Sequence, residues 1–589
     1  MNTQNLLQLF QDRVGVEKDR PCFLYKDQGQ WLSLSWLQVQ GRVAQVASRL
    51  YFCGIQKGDR VALLSRTCWQ WPVVDLGILA AGAITVPIYE SSTPEQIAYI
   101  LKDCEAKIIF VGDLKQLEKI QPSKNIPFLK KVVLMEGSSP DALSLDDFFS
   151  KHEDFQVYFS QLTDLKLSDV LSIVYTSGTT GDPKGVMLTH QNFLSEIFSL
   201  GKALEIKHGS VSLIFLPLAH ILARVIQYAQ FFFGFVHAYA EDLETLAQNI
   251  KEVRPYFLVG VPRIFEKIYK KVLEDVQKSF FKKKIFSWAI KIGEKRSSLL
   301  LQKKGIPYFL KAKYFLAYTL VFSKLHQKLG NCIEFFVSGG APLSEELMRF
   351  FHAFGFLILE GYGLTETTAA VSLNTFCAHR FGTVGKPLDG VRIKIAPDGE
   401  ILIKGDVVFE SYFKNRLATQ ACFEERGWFL TGDIGEFDQD GFLKITDRKK
   451  DLIVTSGGKN IAPQVIENLL KEDPLISQAV VHGDRRRFLS ALIVLNRDEV
   501  LKIAKEQGIP FENYEELTQN QKIFDLVHER VKAKNQKLAS YQTIKKFVIL
   551  QNEFSVESGE LTPTLKIKRK LVDERYKAVF DGFYHETPD

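Results

Sequence analysis

The stretch Tyr175–His190, YTSGTTGDPKGVMLTH, decides the fold class because it places a phosphate-binding pattern directly after a predicted strand, LSIVY. Its polar members are Thr176, Ser177, Gly178, Thr179, Thr180, Gly181 and Lys184. The hydroxyls can donate hydrogen bonds, the glycines let backbone N–H groups turn toward an anion, and the lysine adds positive charge. Gly185 follows Lys184 where a Walker loop has Ser or Thr, so the stretch predicts a phosphate loop of another kind.

Alternating strand and helix patterns surround this loop. Three short apolar runs predict buried strands: RVALLS (60–65), AGAITVPIY (81–89) and AKIIFVGD (106–113). Between the second and third, TPEQIAYILKDC predicts a helix with Thr93 as N-cap. Four later runs each predict a strand ending in a turn: VSLIFLP, PYFLVGVP, CIEFFVSGG and FLILEGYG. The alternation predicts an α/β fold with mixed or mostly parallel sheets flanked by helices, and ligands at the carboxyl ends of the strands.

The pattern changes after Gly382. Two hairpins are predicted, with turns at Asp398-Gly399 and Asp440-Gly441, which indicates a small antiparallel β-subdomain. Beyond Asp451 the chain predicts a separate, small α+β unit. We therefore expect an N-terminal domain over 1–449 and a C-terminal domain over 450–589, with the boundary in the segment DRKKD.

Composition restricts the class of protein. A formal net charge of +6 with 24% charged residues indicates no particular partner. The seven cysteines are scattered, odd in number and never spaced as CxxC, which argues against a disulfide framework or zinc site and favours a reducing compartment. No apolar run reaches about 18 residues, and the N-terminal apolar run is short for a signal peptide. We expect a cytoplasmic protein, in contact at most with the inner face of a membrane.

Residues 262–330 form a strongly basic segment, here called the basic insert. It holds seventeen Lys or Arg residues against four acids, interleaved with apolar and aromatic residues. The pattern predicts basic amphipathic helices. Two interpretations remain open: a solvated helical face, or peripheral contact with an anionic membrane surface. We expect no nucleic-acid partner.

Five further motifs follow the loop in order: SGGAPL (338–343), EGYGLTET (360–367), GWFLTGDIG (427–435), DRKKDLIVTSGGKNIAP (447–463) and LTPTLKIKR (561–569). Together with the loop they closely resemble the motifs of the adenylate-forming enzymes, a superfamily of acyl-CoA synthetases, luciferases and peptide-synthetase adenylation domains. The resemblance spans about Asp59 to Lys570. It implies a mobile C-terminal domain and a site for ATP.

The resemblance implies specific ATP contacts. Beyond the loop residues, they are Gly340, Ala341, Pro342, Glu360, Gly361, Tyr362, Gly363, Leu364, Thr365, Asp433 and Arg448. Tyr362 would lie against the adenine, and Asp433 and Arg448 would bind the ribose. Glu366, with Thr176, would hold Mg²⁺, for which hard oxygen ligands are suited. Without the resemblance, Tyr362 would be a packed core residue and Asp433 an ordinary turn former.

Further roles follow from the resemblance. Lys566 aligns with the lysine that reaches the α-phosphate during adenylation, and Lys568 is the competing assignment. His220 matches a position beside the substrate carboxylate, although Ala223 departs from the Glu that long-chain members often have nearby. Lys450 matches the hinge. The segment that approaches for coenzyme A binding is Ser456, Gly457, Gly458 and Lys459.

The segment 426–453 resembles the fatty acyl-CoA synthetase signature, with departures at Arg426 and Leu430. We therefore expect activation of a long-chain fatty acid by ATP to acyl-AMP, then transfer to coenzyme A. The apolar run Ile226–Phe235 would either wall an acyl tunnel or pack in the core. Acyl carrier protein is the alternative acceptor, and a non-catalytic nucleotide-binding or membrane-binding protein is the distant alternative.

Overall fold

The computed structural model describes residues 5–120, 126–149, 164–176, 182–277, 279–456, 459–555, 558–562 and 566–584. The described strands in chain order are β1 (Pro21–Asp27), β2 (Gln30–Ser35), β3 (Arg60–Leu64), β4 (Ile84–Ile88), β5 (Ile108–Val111), β6 (Lys131–Leu134), β7 (Leu143–Ser144), β8 (Val170–Thr176), β9 (Lys184–Thr189), β10 (Val211–Ile214), β11 (Val236–Tyr239), β12 (Phe257–Gly260), β13 (Phe335–Ser338), β14 (Leu357–Leu364), β15 (Ala369–Leu373), β16 (Lys386–Pro387), β17 (Arg392–Ile395), β18 (Glu400–Lys404), β19 (Ser411–Tyr412), β20 (Phe423–Glu424), β21 (Trp428–Phe437), β22 (Leu443–Arg448), β23 (Ile453–Val454), β24 (Asn460–Ile461), β25 (Ile476–His482), β26 (Leu489–Leu495) and β27 (Ile544–Ile549).

The described α-helices are α1 (Leu6–Glu17), α2 (Trp36–Phe52), α3 (Gln70–Ala80), α4 (Pro94–Asp103), α5 (Leu114–Lys119), α6 (Leu145–Phe149), α7 (His190–Ala203), α8 (Ile221–Phe233), α9 (Leu246–Val253), α10 (Pro262–Gln277), α11 (Phe280–Leu301), α12 (Tyr308–Ala317), α13 (Ser323–Lys328), α14 (Glu345–Ala353), α15 (Arg416–Ala421), α16 (Pro463–Lys471), α17 (Arg497–Glu506), α18 (Tyr514–Gln519), α19 (Gln521–Asn535), α20 (Arg569–Arg575) and α21 (Lys577–Gly582). Thr93 caps α4 as the sequence predicts, because its side chain accepts a hydrogen bond from the Gln96 N–H.

Two large sheets dominate the N-terminal part. Among the described residues, one sheet has the strand order β16-β15-β14-β13-β12-β10-β11-β1-β2, and the other β19-β9-β8-β4-β3-β5-β6-β7. The inner strands of both sheets pair in parallel. Antiparallel strands lie at both edges of the first sheet and at the β9 edge of the second, whereas β7 at the other edge pairs in parallel. A smaller sheet joins β17, β18, β20, β21 and β22 in antiparallel pairs. This is the α/β architecture expected from the sequence.

The C-terminal part has its own sheet, in the order β25-β26-β27, and a hairpin of β23 and β24. Helices α16 to α19 cover the sheet, and the apolar side chains between them form a separate core that includes Ile466, Ile493 and Val527. A distinct core for each part is what allows two units of one chain to move as bodies.

Two motif segments differ from the sequence-based expectation. The run FLILEGYG does not end in a turn, because β14 continues through Gly361, Tyr362 and Gly363 and pairs antiparallel with β15. Asp433 is likewise not in a turn but in strand β21, where it pairs with Arg448 of β22. In both places pairing with a neighbouring strand satisfies the backbone N–H and carbonyl groups, so the chain stays extended.

Helix α8 is buried along most of its length. Phe231 contacts Phe10 of α1, with ring centroids 5.1 Å apart, and Tyr228 contacts Phe193 of α7 at 5.2 Å. Most of the run Ile226–Phe235 therefore packs in the core, as one of the two interpretations of the sequence expected.

Candidate active site

The carboxyl ends of strands from both large sheets meet at one place. Tyr89 follows β4 and His220 follows β10, and their ring centroids lie 6.4 Å apart. His220 caps α8, since its Nδ1 accepts a hydrogen bond from the Leu222 N–H at 3.2 Å. Gly339 comes directly after β13 and lies close to α8, since a Cβ added to it would be 3.3 Å from Leu222 Cδ2. A cleft at such strand ends is the usual ligand site of α/β folds.

Glu366 and Lys184 mark one end of this region. The Tyr412 hydroxyl donates to Glu366 Oε1 at 2.8 Å, and Lys184 Nζ lies 5.1 Å from the centre of the Tyr412 ring. Thr176 and Lys184 are register partners on β8 and β9, and the Thr176 hydroxyl lies 3.5 Å from the Lys184 carbonyl oxygen. The Glu366 carboxylate and the Lys184 ammonium group thus both contact Tyr412, next to the predicted phosphate loop.

The remaining loop residues, Ser177, Gly178, Thr179, Thr180 and Gly181, lie outside the described residues. Their predicted contacts with phosphate stay predictions.

Asp433 connects the other predicted nucleotide contacts. Its carboxylate accepts from the Tyr362 hydroxyl at 2.7 Å and from Arg448 Nε at 3.0 Å. Asp433 is 4% exposed, whereas Arg448 is partly exposed. The three side chains come from β14, β21 and β22, so the fold assembles a polar cluster from segments distant in sequence.

The segments SGGAPL and EGYGLTET are held against each other. Glu360 is buried, and its Oε1 accepts from the Leu343 N–H at 2.9 Å. Burial raises the pKa of Glu360 to about 8 against the opposing effect of this bond. Gly340, Ala341 and Pro342 are exposed beside it. The Glu360 side chain thus braces the exposed segment.

Gly363 is required by close backbone approach. A Cβ at this position would lie 1.4 Å from the Ala369 carbonyl oxygen. The following residues Leu364 and Thr365 lead into a 3₁₀ turn, Thr365–Thr367, where the Leu364 N–H donates to the Thr367 hydroxyl at 2.8 Å. Only glycine leaves room for the β15 backbone at this position, directly before the turn that presents Glu366.

Lys566 of the C-terminal part reaches the same cleft. Burial and the positive charge of Arg448 lower its pKa to about 8, against the opposing effect of Asp433 and Glu366. Lys566 remains in contact with solvent, so the lowered pKa reflects the protein atoms crowded around its side chain and not its full removal from water. The Lys566 backbone N–H donates to the Thr562 hydroxyl at 3.0 Å, and this bond holds the backbone at Lys566 in place. The competing residue, Lys568, precedes α20, and its N–H donates to the Glu560 carbonyl at 2.7 Å.

His220 is held neutral in this environment. Burial, together with the charge of Lys566, lowers the pKa of His220 to about 4. At neutral pH the ring therefore presents no positive charge, and its Nδ1 remains an acceptor for the Leu222 N–H.

The predicted hinge and coenzyme A segment lie apart from this cluster. Lys450 is exposed beside a cavity of about 470 Å³ that is also lined by His482, Arg486 and Arg569. The Ser456 N–H donates to the Arg486 carbonyl at 2.9 Å, and Lys459 Nζ lies 5.8 Å from the Tyr541 ring centre. Gly457 and Gly458 lie outside the described residues.

Two residues of the cleft were not predicted from the sequence. Tyr412 lies 46 positions after Glu366, and Tyr89 ends an apolar run that predicts only a strand. No local pattern connects either residue to the motifs, because β-sheet pairing brings them there.

A small apolar cavity adjoins the helix that His220 caps. It measures about 10 Å³ and is lined by residues that include Ser212, Ala223, Ile226 and Val259. Of the run Ile226–Phe235, only Ile226 lines it, so the run contributes a single residue to the wall of this cavity.

The fold and the cleft define an α/β enzyme of the adenylating type. Residues 10–413 match the AMP-binding enzyme family and residues 450–588 match the AMP-binding enzyme C-terminal domain, so the chain belongs to the AMP-binding enzymes.

Relatives and solved structures agree with this assignment. The chain is 37% identical over 581 residues to the long-chain-fatty-acid–CoA ligase FadD15 of Mycobacterium bovis, covering 97% of this chain and 96% of that protein. It is 32% identical to the long-chain-fatty-acid–CoA ligase ACSBG2 of Xenopus laevis, covering 98% and 84%. The fold resembles that of ATP-bound MatB from Rhodopseudomonas palustris, with a TM-score of 0.71 at 23% identity, covering 98% and 100% of the two chains. No described helix has the length and apolar content needed to cross a bilayer.

Proposed function

We propose that this chain is an AMP-forming long-chain fatty acid–CoA ligase. The observation that carries the proposal is the cluster in which the Asp433 carboxylate accepts from Tyr362 and Arg448, together with the Glu366 carboxylate that Tyr412 holds. Lys566 interacts electrostatically with Glu366, Asp433 and Arg448. The substrate class is supported by the names of relatives that match nearly the whole chain.

In the proposed first step, a fatty carboxylate oxygen attacks the α-phosphorus of ATP, and the bond to pyrophosphate breaks. Lys566 stabilises the negative charge that develops on the phosphorus centre. Asp433 and Arg448 orient the ribose, and Tyr362 lies against the adenine. Thr176, Lys184 and the rest of the phosphate loop hold the leaving pyrophosphate.

The residues present fit a magnesium ion bound with ATP. Glu366 offers a half-buried carboxylate that is oriented by Tyr412, and Thr176 offers a hydroxyl nearby on β8. Mg²⁺ is commonly held by one or two protein oxygens together with substrate phosphates. When bound, the ion would neutralise phosphate charge.

In the proposed second step, a thiol attacks the acyl-AMP carbonyl carbon and AMP leaves. The C-terminal part would rotate at Lys450, withdraw Lys566, and bring Ser456 to Lys459 toward the cleft. Coenzyme A is the proposed acceptor, and acyl carrier protein is the alternative.

One experiment tests the reaction and the acceptor together. Fatty acids of several lengths are incubated with ATP and Mg²⁺, and coenzyme A or holo-acyl carrier protein is offered in parallel. We expect AMP, pyrophosphate and long-chain acyl-CoA. Acyl-carrier-protein product alone would reassign the acceptor, and absence of pyrophosphate exchange would contradict the ligase.

A second experiment tests Lys566. The Lys566→Ala variant should lose acyl-adenylate formation and keep thioester formation from supplied acyl-AMP, because its charge serves only the first step. Lys568→Ala is the matched control and should keep both. Equal loss of both steps in Lys566→Ala would contradict the role.

We also propose peripheral contact between the basic insert and an anionic membrane surface, which its excess of Lys and Arg supports.

A further inference from the structure

The helix α12 and the π-helical turn after it, Tyr318–Phe322, carry large apolar side chains on their outer surface. Tyr308, Phe309 and Phe315 are 81%, 80% and 72% exposed, and Leu316 and Leu320 are 50% and 45% exposed. These five residues are here called the α12 stripe. Three rings at this exposure present roughly 500 Å² of mainly apolar surface, which is in the range that marks interaction sites.

The α12 stripe is the solvent-facing side of a helix whose other side already packs against the protein. The opposite side of the helix is already packed: Leu310 and Ala317 are buried, and Arg296 of α11 lies 4.3 Å from the Tyr314 ring centre. A helix anchored in this way holds its exposed face in a fixed orientation.

The charge around the stripe is almost entirely positive. Residues 280–324 hold eleven Lys or Arg and one acid, Glu294. At about 100° per residue, Lys311 and Lys313 fall on opposite flanks of the α12 stripe. Both lysines are exposed. Among the described residues, neither lysine forms an ion pair within 4 Å.

We propose that the α12 stripe inserts into the surface of an anionic lipid membrane while Lys311 and Lys313 contact the headgroups. Aromatic side chains on an anchored helix, flanked by lysines, match the chemistry of an interface that is apolar below and negative above. The proposal deepens the membrane contact proposed above by naming the residues that make it.

The test is flotation with phosphatidylcholine vesicles, with and without phosphatidylglycerol, in the absence of substrates. Wild-type protein should float with the anionic vesicles, less so at high salt. The F309S/F315S and K311E/K313E variants should each lose at least about tenfold in partitioning. Both should keep adenylate formation with a soluble shorter fatty acid, which shows that they fold.

Matched controls are L417S, on the exposed Leu417 of α15, and K505E/K522E on the C-terminal part; both should float like wild type. Unchanged flotation of the stripe variants would overturn the proposal. So would equal binding to neutral vesicles, or self-association that F309S/F315S abolishes, which would make a second copy the occupant. Because flotation needs no substrate, failure of the ligase assay would not affect it.

Discussion

At the scale of single residues, the cleft is organised by shared hydrogen bonds. The Asp433 carboxylate accepts hydrogen bonds from both Tyr362 and Arg448. The Tyr412 hydroxyl donates to Glu366, and its ring lies near the Lys184 ammonium group. The side chains of Asp433 and Glu366 are therefore oriented by protein contacts alone, which would reduce the reorganisation needed during the proposed reaction.

The depressed pKa of Lys566 predicts a pH dependence for the first step. Lys566 loses its proton as the pH rises through about 8, so kcat/KM for ATP should fall above that pH. Lys566→Arg should remove this decline, because a guanidinium stays charged, even if the rate is lower. Pyrophosphate exchange measured between pH 6 and 10 checks this; an identical decline in both proteins would assign it elsewhere.

A buried ion pair joins helices α3 and α8. Arg224 Nη2 lies 2.5 Å from Asp75 Oδ1, Arg224 Nη1 lies 2.5 Å from Ser172 Oγ of β8, and both charged residues are fully buried. Arg224→Leu should lower the free energy of unfolding by about 3–5 kcal/mol, because it leaves the buried Asp75 carboxylate without a cation and, among the described residues, with only the Tyr228 hydroxyl still donating to it.

Urea denaturation measures this change. Lys202→Ala, which removes the exposed pair with Asp389, is the control and should cost at most about 1 kcal/mol. A loss in Arg224→Leu no larger than in this control would contradict the assigned role.

At the scale of elements, the turn between β14 and β15 is strained. Thr368 and Ala369 have φ of 54° and 85°, in the left-handed region, directly after the turn that presents Glu366. Glu196 of α7 is buried and accepts from the Ala370 N–H at 2.9 Å. Burial raises the pKa of Glu196 well above its usual range, against the opposing effect of the Ala370 N–H.

This contact predicts different outcomes for two substitutions. Glu196→Gln should be nearly neutral, whereas Glu196→Leu should cost about 1–3 kcal/mol by leaving the Ala370 N–H unpaired, and should raise KM for ATP. Thermal unfolding and ATP kinetics measure both. Since the folded-state pKa is raised, wild-type stability should fall as the pH rises toward it, and Glu196→Gln should lack this fall. Equal behaviour of the two variants would contradict the role.

At the scale of the whole molecule, the segment DRKKD (447–451), which connects the N-terminal and C-terminal parts, contains a buried acid. Asp447 is 2% exposed, its Oδ1 accepts from the Arg448 N–H at 2.6 Å, and burial raises its pKa to about 7. Next to it, Lys449 pairs with Asp398 at 2.6 Å and Glu400 at 2.7 Å, which ties the segment to the antiparallel sheet.

Asp447 predicts that this link is pH-dependent. Because its folded-state pKa is raised, its contribution is fully present below the usual carboxyl pKa and is lost as the pH rises through about 7. Trypsin should therefore cut wild-type protein within DRKKD faster than Asp447→Asn at pH 8, and the ratio of the two rates should be smaller near pH 6, where less of the contribution has been lost. Equal rates at both pH values would contradict the prediction.

The motifs, their order and most of the strands could be predicted from sequence, because apolar periodicity and turn residues act over a few positions. Helix α4 with its Thr93 cap and the turns at Asp398 and Asp440 are local features of this kind. The continuation of β14 through Tyr362 could not be predicted, because pairing with β15 outweighs the preference of glycine for turns.

The sequence by itself determined which chemical groups are present and in what order, namely the residues of a predicted phosphate loop, the acids and a C-terminal lysine. Only the tertiary structure decided their geometry. It brings Tyr362 and Arg448 to the same Asp433 carboxylate, Tyr412 to Glu366, and Lys566 into their electrostatic field, and it leaves the α12 stripe exposed. The physical reason is that these contacts join residues far apart in the chain, so they depend on sheet pairing and helix packing and leave no local pattern in the sequence.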